Sequence, residues 1–387
     1  MRRRFARFLS VITRVGAIVG PLLLATAATA QNAPVDAPVS ADSVYIVDAQ
    51  DGGVILDKNS MARSEPASLT KMMTAYLAFA ALKEGRIKLT DRLTISRRAA
   101  HMGGSRMFIE RDSKVAFEDL LRGVIVQSGN DASVAIAEGL AGSEDAFVAE
   151  MNAKAREFGM LGTHFANASG WPDPDHYTTA RDLAILAHHL IADFPQDYHY
   201  FSELDFTYHG IRQGNRNPLL YKQVGADGIK TGFAEAPGYS LVASGVQGGR
   251  RLIMVVQGLD SKKSRSDEAL RLWQWAFRNS ARYTIAKGGV PLAEAPVWLG
   301  EQEKVPVGPA QDVVLTLPRT DRHRVKVTAV FDGPLAAPIA AGQVVGKLRL
   351  ETPGAAPREV PLIATSGVKH LGTFGSMIAA AEYLISG

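Results

Sequence analysis

"EPASLTKMMTAY", residues 65–76, is the stretch from which the rest of the chain is read. It sets Ser68 and Lys71 three apart in a run of good helix formers, with Pro66 suited to a first helical turn. Gly85, in "ALKEGR", suits the stop, so a helix is expected over 66–84. Residues i and i+3 share a helix face, which brings the two polar heads within hydrogen-bonding reach. Near a helix N-terminus, free N–H groups and the helix dipole favour an alkoxide or oxyanion. Simple helix capping by Ser68 explains the same residues without any chemistry.

Ser-x-x-Lys alone says little, because about one or two such spacings arise by chance in a chain of this length. A second one, Ser366–Lys369, stands near the C-terminus. What separates the two is company. "QSGNDAS" (127–133) supplies Ser128-Gly129-Asn130, and "DGIKTGF" (227–233) supplies Lys230-Thr231-Gly232. Nothing comparable surrounds Ser366.

The chain has 387 residues and a formal net charge of +4. Its first 30 residues hold five arginines and no acid, then the apolar "VGAIVGPLLLATAATA" with small residues before Ala30. That is the pattern of a secretory signal peptide, 1–30, with the mature chain starting near Gln31. Taking those five arginines from +4 leaves about −1, so the basic pI gives no reason to expect nucleic acid as a partner. Cysteine is absent, which fits an exported protein stabilised by its core and needing neither disulfide nor thiolate.

After an Ala/Pro-rich linker at 31–40, residues 41–281 mix helical and strand patterns. "SVYIVDAQDGGVILDKN" (43–59) reads as a β-hairpin turning at Asp51, Gly52 and Gly53. Helical periodicity covers 116–126, 130–140, 144–159, 179–191 and 264–279, and "YSLVASGV" and "RLIMVVQGL" are late strands. The expected class is α+β, with helices on one antiparallel sheet. From 291 to 367 the short β-branched runs "DVVLTLP", "RVKVTAVF", "QVVGKLRLE" and "REVPLIA" predict a small all-β domain.

The three ordered motifs resemble those of the serine penicillin-recognising enzymes. The "SGN" form of the second motif is that of the low-molecular-mass D-alanyl-D-alanine carboxypeptidases. The likeness extends through "RGVIVQSGND" (122–131), "THFANASG" (163–170), "YTTARDLA" (177–184) and "GIRQGNRN" (210–217), and over nearly the whole mature chain. It implies a penicillin-binding/β-lactamase-like domain followed by the β-domain. The implied activity is removal of the terminal D-Ala from peptidoglycan stem peptides through an acyl-enzyme on Ser68. β-Lactam antibiotics would acylate the same serine, with no metal or cofactor.

Each residue type has a place in that chemistry. Ser68 needs a neighbouring base, and Lys71 is one only if neutral, which burial and the cation Lys230 both promote. Ser128 can relay a proton to the leaving amine, and Asn130 can hold Lys71 and bind a peptide carbonyl. Gly232 lets a peptide-like ligand lie close to a strand edge. The resemblance further implies that Lys230 and Thr231 meet the substrate's terminal carboxylate, with the N–H groups of Ser68 and Phe233 as oxyanion hole. Arg265, in "KKSRSDEA", falls where the family has a carboxylate-binding arginine. Phe233 departs from relatives with a polar residue there.

Rival readings are a D,D-endopeptidase, a β-lactamase and a non-catalytic wall-binding scaffold. No Glu-x-x-Leu-Asn segment lies between Asn130 and Lys230 to supply a β-lactamase's water-activating glutamate. His188-His189 lacks a metal-ligand pattern, and Thr179 with Asp182 reads as a helix cap. In the C-terminal "KHLGTFGSMIAAAEYLISG" (369–387), Phe374, Met377, Ile378, Ala381, Leu384 and Ile385 recur on one helical face. This predicts a segment lying in the plane of a membrane surface, or docked on the β-domain.

Overall fold

The computed structural model describes residues 38–352, 357–373 and 375. The expected signal peptide, most of the linker and most of the 369–387 segment lie outside the described residues. Two compact units divide the chain near residue 280.

In the first unit the hairpin forms as β1 (Ser43–Asp48) and β2 (Val54–Lys58), and is followed by α1 (Lys71–Lys83). Next come β3 (Arg92–Thr94), α2 (Arg97–Ala100), β4 (Lys114–Ala116), α3 (Phe117–Ile125), α4 (Asn130–Ala141), α5 (Glu144–Glu157) and α6 (Ala180–Asp193). The unit closes with β5 (Asp205–Tyr208), β6 (Ile211–Gly214), β7 (Ala226–Ala234), β8 (Gly238–Gln247), β9 (Arg250–Leu259) and α7 (Lys262–Asn279). β3–β4 and β5–β6 are two-stranded ribbons.

The main sheet runs β2-β1-β9-β8-β7, antiparallel throughout. Both of its faces are covered. Ile229, Val242, Ile253 and Val255 pack against α1, α3, α4 and α6. The alternate residues Leu241, Ala243, Leu252, Met254 and Val256 pack against Leu272, Trp273 and Ala276 of α7. The period-2 alternation of the strands thus serves two cores at once.

Helix α1 is apolar on every side: Met72, Met73, Ala75, Leu77, Ala78 and Phe79 are all buried. Such a helix belongs at the centre of its bundle, and a polar group at its start is buried with it. It ends where expected, with Gly85 in the left-handed region at φ +70°.

The second unit is all β. Its sheet has the order β14 (Lys326–Val330), β16 (Val344–Glu351), β17 (Arg358–Ala364), β12 (Lys304–Pro309), β11 (Ala293–Trp298) and β15 (Leu335–Ala336). β10 (Ser280–Ala286) pairs with β13 (Val313–Pro318), which draws residues before 291 into this unit. Val305, Val307, Leu315, Leu348 and Leu362 form its core.

Candidate active site

The helix expected over 66–84 opens with a tighter turn. Ala67–Thr70 is a 3-10 turn, and Lys71 is the first residue of α1. In a 3-10 turn side chains at i and i+3 eclipse, which aligns Ser68 and Lys71 more closely than an α-helical turn would. Lys71 Nζ lies 3.2 Å from Ser68 Oγ.

Ala67, just before Ser68, sits at φ +47° without being glycine. That conformation costs on the order of 1 kcal/mol or more and has to be held from outside. Gly170 holds it: a Cβ there would fall 1.7 Å from the Ala67 carbonyl oxygen. On the opposite side Gly232 of β7 lies so near that its Cβ would meet Pro66 O and Leu69 Cγ at 3.1 Å. Gly232 therefore permits the close approach of the strand to the turn carrying Ser68.

Lys71 is 1% exposed. Besides Ser68 it donates to Asn130 Oδ1 at 2.7 Å and to the Ser169 carbonyl at 2.5 Å. Its pKa is pushed down to about 7, by burial first and then by Arg216, against the opposing carboxylate of Asp131. Lys230 is close enough to Lys71 for the two amines to interact. Lys230 is itself held well below the usual ammonium range, by burial first and then by Lys71, Arg216 and Arg265. The repulsion between the two amines is mutual, so each favours the neutral form of the other.

Asn130 opens α4 and donates through Nδ2 to Gly103 O at 2.8 Å, which leaves its Oδ1 to face Lys71. Asp131, buried beside it, accepts from the N–H groups of Met107, Phe108 and Ile109 at 2.9–3.3 Å, tying that loop to α4. Ser128, at φ +61°, is 1% exposed, and its Oγ has no hydrogen-bond partner among the described residues. A buried hydroxyl left free in this way is unusual, and is available to a reacting group.

On β7, Lys230 and Thr231 are buried opposite Val242 and Leu241, whereas Phe233 is 54% exposed, its ring 4.5 Å from that of Tyr239. Arg265 is buried on α7 and donates through Nη2 to Arg216 O at 3.3 Å. Burial pushes its pKa down to about 10, with Tyr239 opposing and Arg216 adding to the shift, and its Nε has no partner among the described residues.

Two participants carried no role in the sequence reading. Arg216, inside the quoted "GIRQGNRN", is exposed and donates to Ser105 Oγ at 2.6 Å. The Ser169 carbonyl belongs to "THFANASG", where Asn167 Oδ1 accepts from the N–H groups of Ser169, Gly170 and Trp171 at 2.8–3.2 Å. An Asn three residues before a Gly was the available signal for such a turn. Thr179 does cap α6, accepting from Asp182 N at 3.1 Å, and His189 stacks on Phe158 and bonds Asp193 at 3.0 Å.

The site thus offers a hydroxyl against a buried amine of near-neutral pKa, a second free hydroxyl, and a cationic patch beside a strand. A family model described as D-alanyl-D-alanine carboxypeptidase matches residues 27–261, and one described as the penicillin-binding protein 5 C-terminal domain matches 282–370. The chain is 38% identical over 348 residues to D-alanyl-D-alanine carboxypeptidase DacA of Escherichia coli strain K12, covering 88% of this chain and 86% of that relative. Among solved structures, penicillin binding protein 5 from Haemophilus influenzae superposes with a TM-score of 0.76 at 38% identity, covering 87% of this chain and all of that one. The carboxypeptidase DacD from Francisella tularensis gives 0.74 at 30% identity, covering 90% of this chain and 97% of that one.

Proposed function

The chain belongs to the D-alanyl-D-alanine carboxypeptidase family, and on that premise we propose that Ser68 is the nucleophile through which it removes the terminal D-Ala of peptidoglycan stem peptides. It is a serine-type hydrolase of the penicillin-binding class. The observation that carries the assignment of roles is the fully buried amine of Lys71, with a pKa of about 7, at 3.2 Å from Ser68 Oγ.

As Ser68 Oγ bonds to the carbonyl carbon of the penultimate D-Ala, its proton passes to neutral Lys71. The oxyanion is met by the N–H groups of Ser68 and Phe233, on the turn and strand that touch at Gly232. The carbon–nitrogen bond then breaks, and Ser128, whose hydroxyl is otherwise unengaged, relays a proton to the departing amine. Asn130 keeps Lys71 in place, and water releases the shortened peptide from the ester. Lys230 and Thr231 receive the terminal carboxylate, with Arg265 and Arg216 adding positive field. An incoming carboxylate favours the charged form of Lys230.

Incubation with a defined stem pentapeptide should release free D-Ala. Benzylpenicillin should leave a covalent adduct that peptide mapping places on Ser68; an adduct elsewhere overturns the assignment.

The same reading makes the protein exported and periplasmic. The 369–387 segment would rest on the outer face of the cytoplasmic membrane, held by apolar burial because Glu382 is its only charged side chain past His370. Among the described residues no helix is long and apolar enough to cross a membrane. Deleting 371–387 should shift the protein from the membrane to the soluble fraction without loss of D-Ala release. A full-length protein that is already wholly soluble would count against the anchor.

A further inference from the structure

We infer that Glu144 is a positioning residue for acyl transfer, acting on Lys71 through the Ala168–Ser169 peptide; this rests on the reading of Lys71 as the base. Glu144 is the first residue of α5, where a carboxylate ordinarily serves its own helix. Here that duty falls to Ser143, whose Oγ accepts from Ala146 N at 3.1 Å. Glu144 is 5% exposed, and both of its oxygens bond groups outside α5. Oε1 accepts from Ala168 N at 3.0 Å, and Oε2 pairs with the guanidinium of Arg98, a side chain 61% exposed.

Ala168 is completely buried, and its carbonyl accepts from Thr74 Oγ1 at 2.6 Å. The next carbonyl, Ser169 O, accepts from Lys71 Nζ. Thr74 and Lys71 are one turn apart on α1, so two successive carbonyls are read by one helix face while Glu144 holds the N–H of the peptide just before them. The carboxylate is thus two peptide groups from the amine and touches nothing that reacts. Losing its acceptor would leave a buried N–H unsatisfied, and the strand of backbone would move to find another. The Ser169 carbonyl would then bond Lys71 less well. A carbonyl acceptor favours the ammonium over the amine, so the amine would lose its proton at lower pH while being less well aimed.

The test is the pH dependence of acylation by benzylpenicillin in the full-length protein, for Glu144→Ala and Glu144→Gln beside wild type and Lys71→Ala. The amide oxygen of Gln can still accept from Ala168 N, and only the charge pairing with Arg98 is lost. Glu144→Ala should acylate about tenfold more slowly, with its acid limb lowered by roughly half a pH unit or more. Glu144→Gln should stay within about twofold of wild type with the limb unmoved. If Glu144→Ala does not accumulate folded, Glu144→Asp, one methylene too short to reach Ala168, takes its place with the same expectation. An unmoved acid limb in the Ala or Asp variant, or a Gln variant as impaired as either, overturns the positioning role. Acylation surviving in Lys71→Ala at the wild-type rate would instead overturn the reading of Lys71 as base. An inactive Lys71→Ala with an unmoved limb in Glu144→Ala would remove Glu144 alone.

Discussion

Ser68-Leu69-Thr70-Lys71 and Ser366-Gly367-Val368-Lys369 share one residue spacing and lie in opposite surroundings. The first is a 3-10 turn running into a buried helix, so its hydroxyl and amine eclipse and meet at 3.2 Å. The second follows β17 through a bend at Thr365 and Ser366, with Val368 bridged to Ile339 by hydrogen bonds of 2.8 and 2.9 Å. No helical turn stacks Ser366 and Lys369 as the 3-10 turn stacks the first pair. Lys71 is 1% exposed, whereas Lys369 is open to water. A spacing becomes chemistry only when the backbone turns the two groups to one side and burial strips the amine of its charge.

The largest contrast should come from removing the hydroxyls. Ser68→Ala is expected to abolish both D-Ala release and the benzylpenicillin adduct seen by intact-mass spectrometry, and Ser366→Ala to alter neither. An adduct surviving in the Ser68 variant would end the comparison.

Removing the amines tests burial. Lys71→Met should slow acylation by about 10²–10⁴-fold, the usual weight of a general base, and Lys369→Met should leave it unchanged. Stability should move the other way. With its pKa near 7 in the folded state and 10.5 when free, Lys71 binds fewer protons folded than unfolded between those values. Stability therefore rises with pH across that window, and below about 7 the native state carries a buried charge. Lys71→Met should raise the thermal midpoint at pH 6, with the gain shrinking as pH climbs toward 10.5. A gain independent of pH would mean that the amine is not the depressed group.

The smallest of the three contrasts sets Gly170 against Gly367. Gly170→Ala puts a methyl 1.7 Å from Ala67 O and should displace the turn carrying Ser68. A misplacement of about 1 Å costs roughly 10²-fold in rate, so a loss of about 10–100-fold is expected, with a lower thermal midpoint. At Gly367 the nearest atom is 3.3 Å away, and alanine should leave acylation within about twofold. Equal tolerance at both sites would show that the strained Ala67 turn needs no outside support.

Much of this was legible in sequence. The 43–59 hairpin, the helices from 116 to 191 and the two late strands announce themselves by local periodicity, and the three motifs name their own members. What the sequence concealed are convergences over long separations. Ser169 reaches Lys71 across 98 residues through a backbone carbonyl, an atom that every residue possesses and no motif marks. Arg216 was in a quoted stretch, but its charge acts through space on Lys71, and residue type alone does not tell which cation stands near which amine. The 3-10 opening of the first helix also escaped notice, because Ala, Ser, Leu and Thr are compatible with either winding.

Gly232 has a mechanical consequence. The strand proposed to receive the substrate and the turn proposed to bear the attacking oxygen lie so close that one methyl on Gly232 would crowd both Pro66 and Leu69. The gap between oxygen and target carbon is then gauged by the thickness of one peptide backbone against another. On the proposed reading, a peptide laid along β7 would arrive already measured.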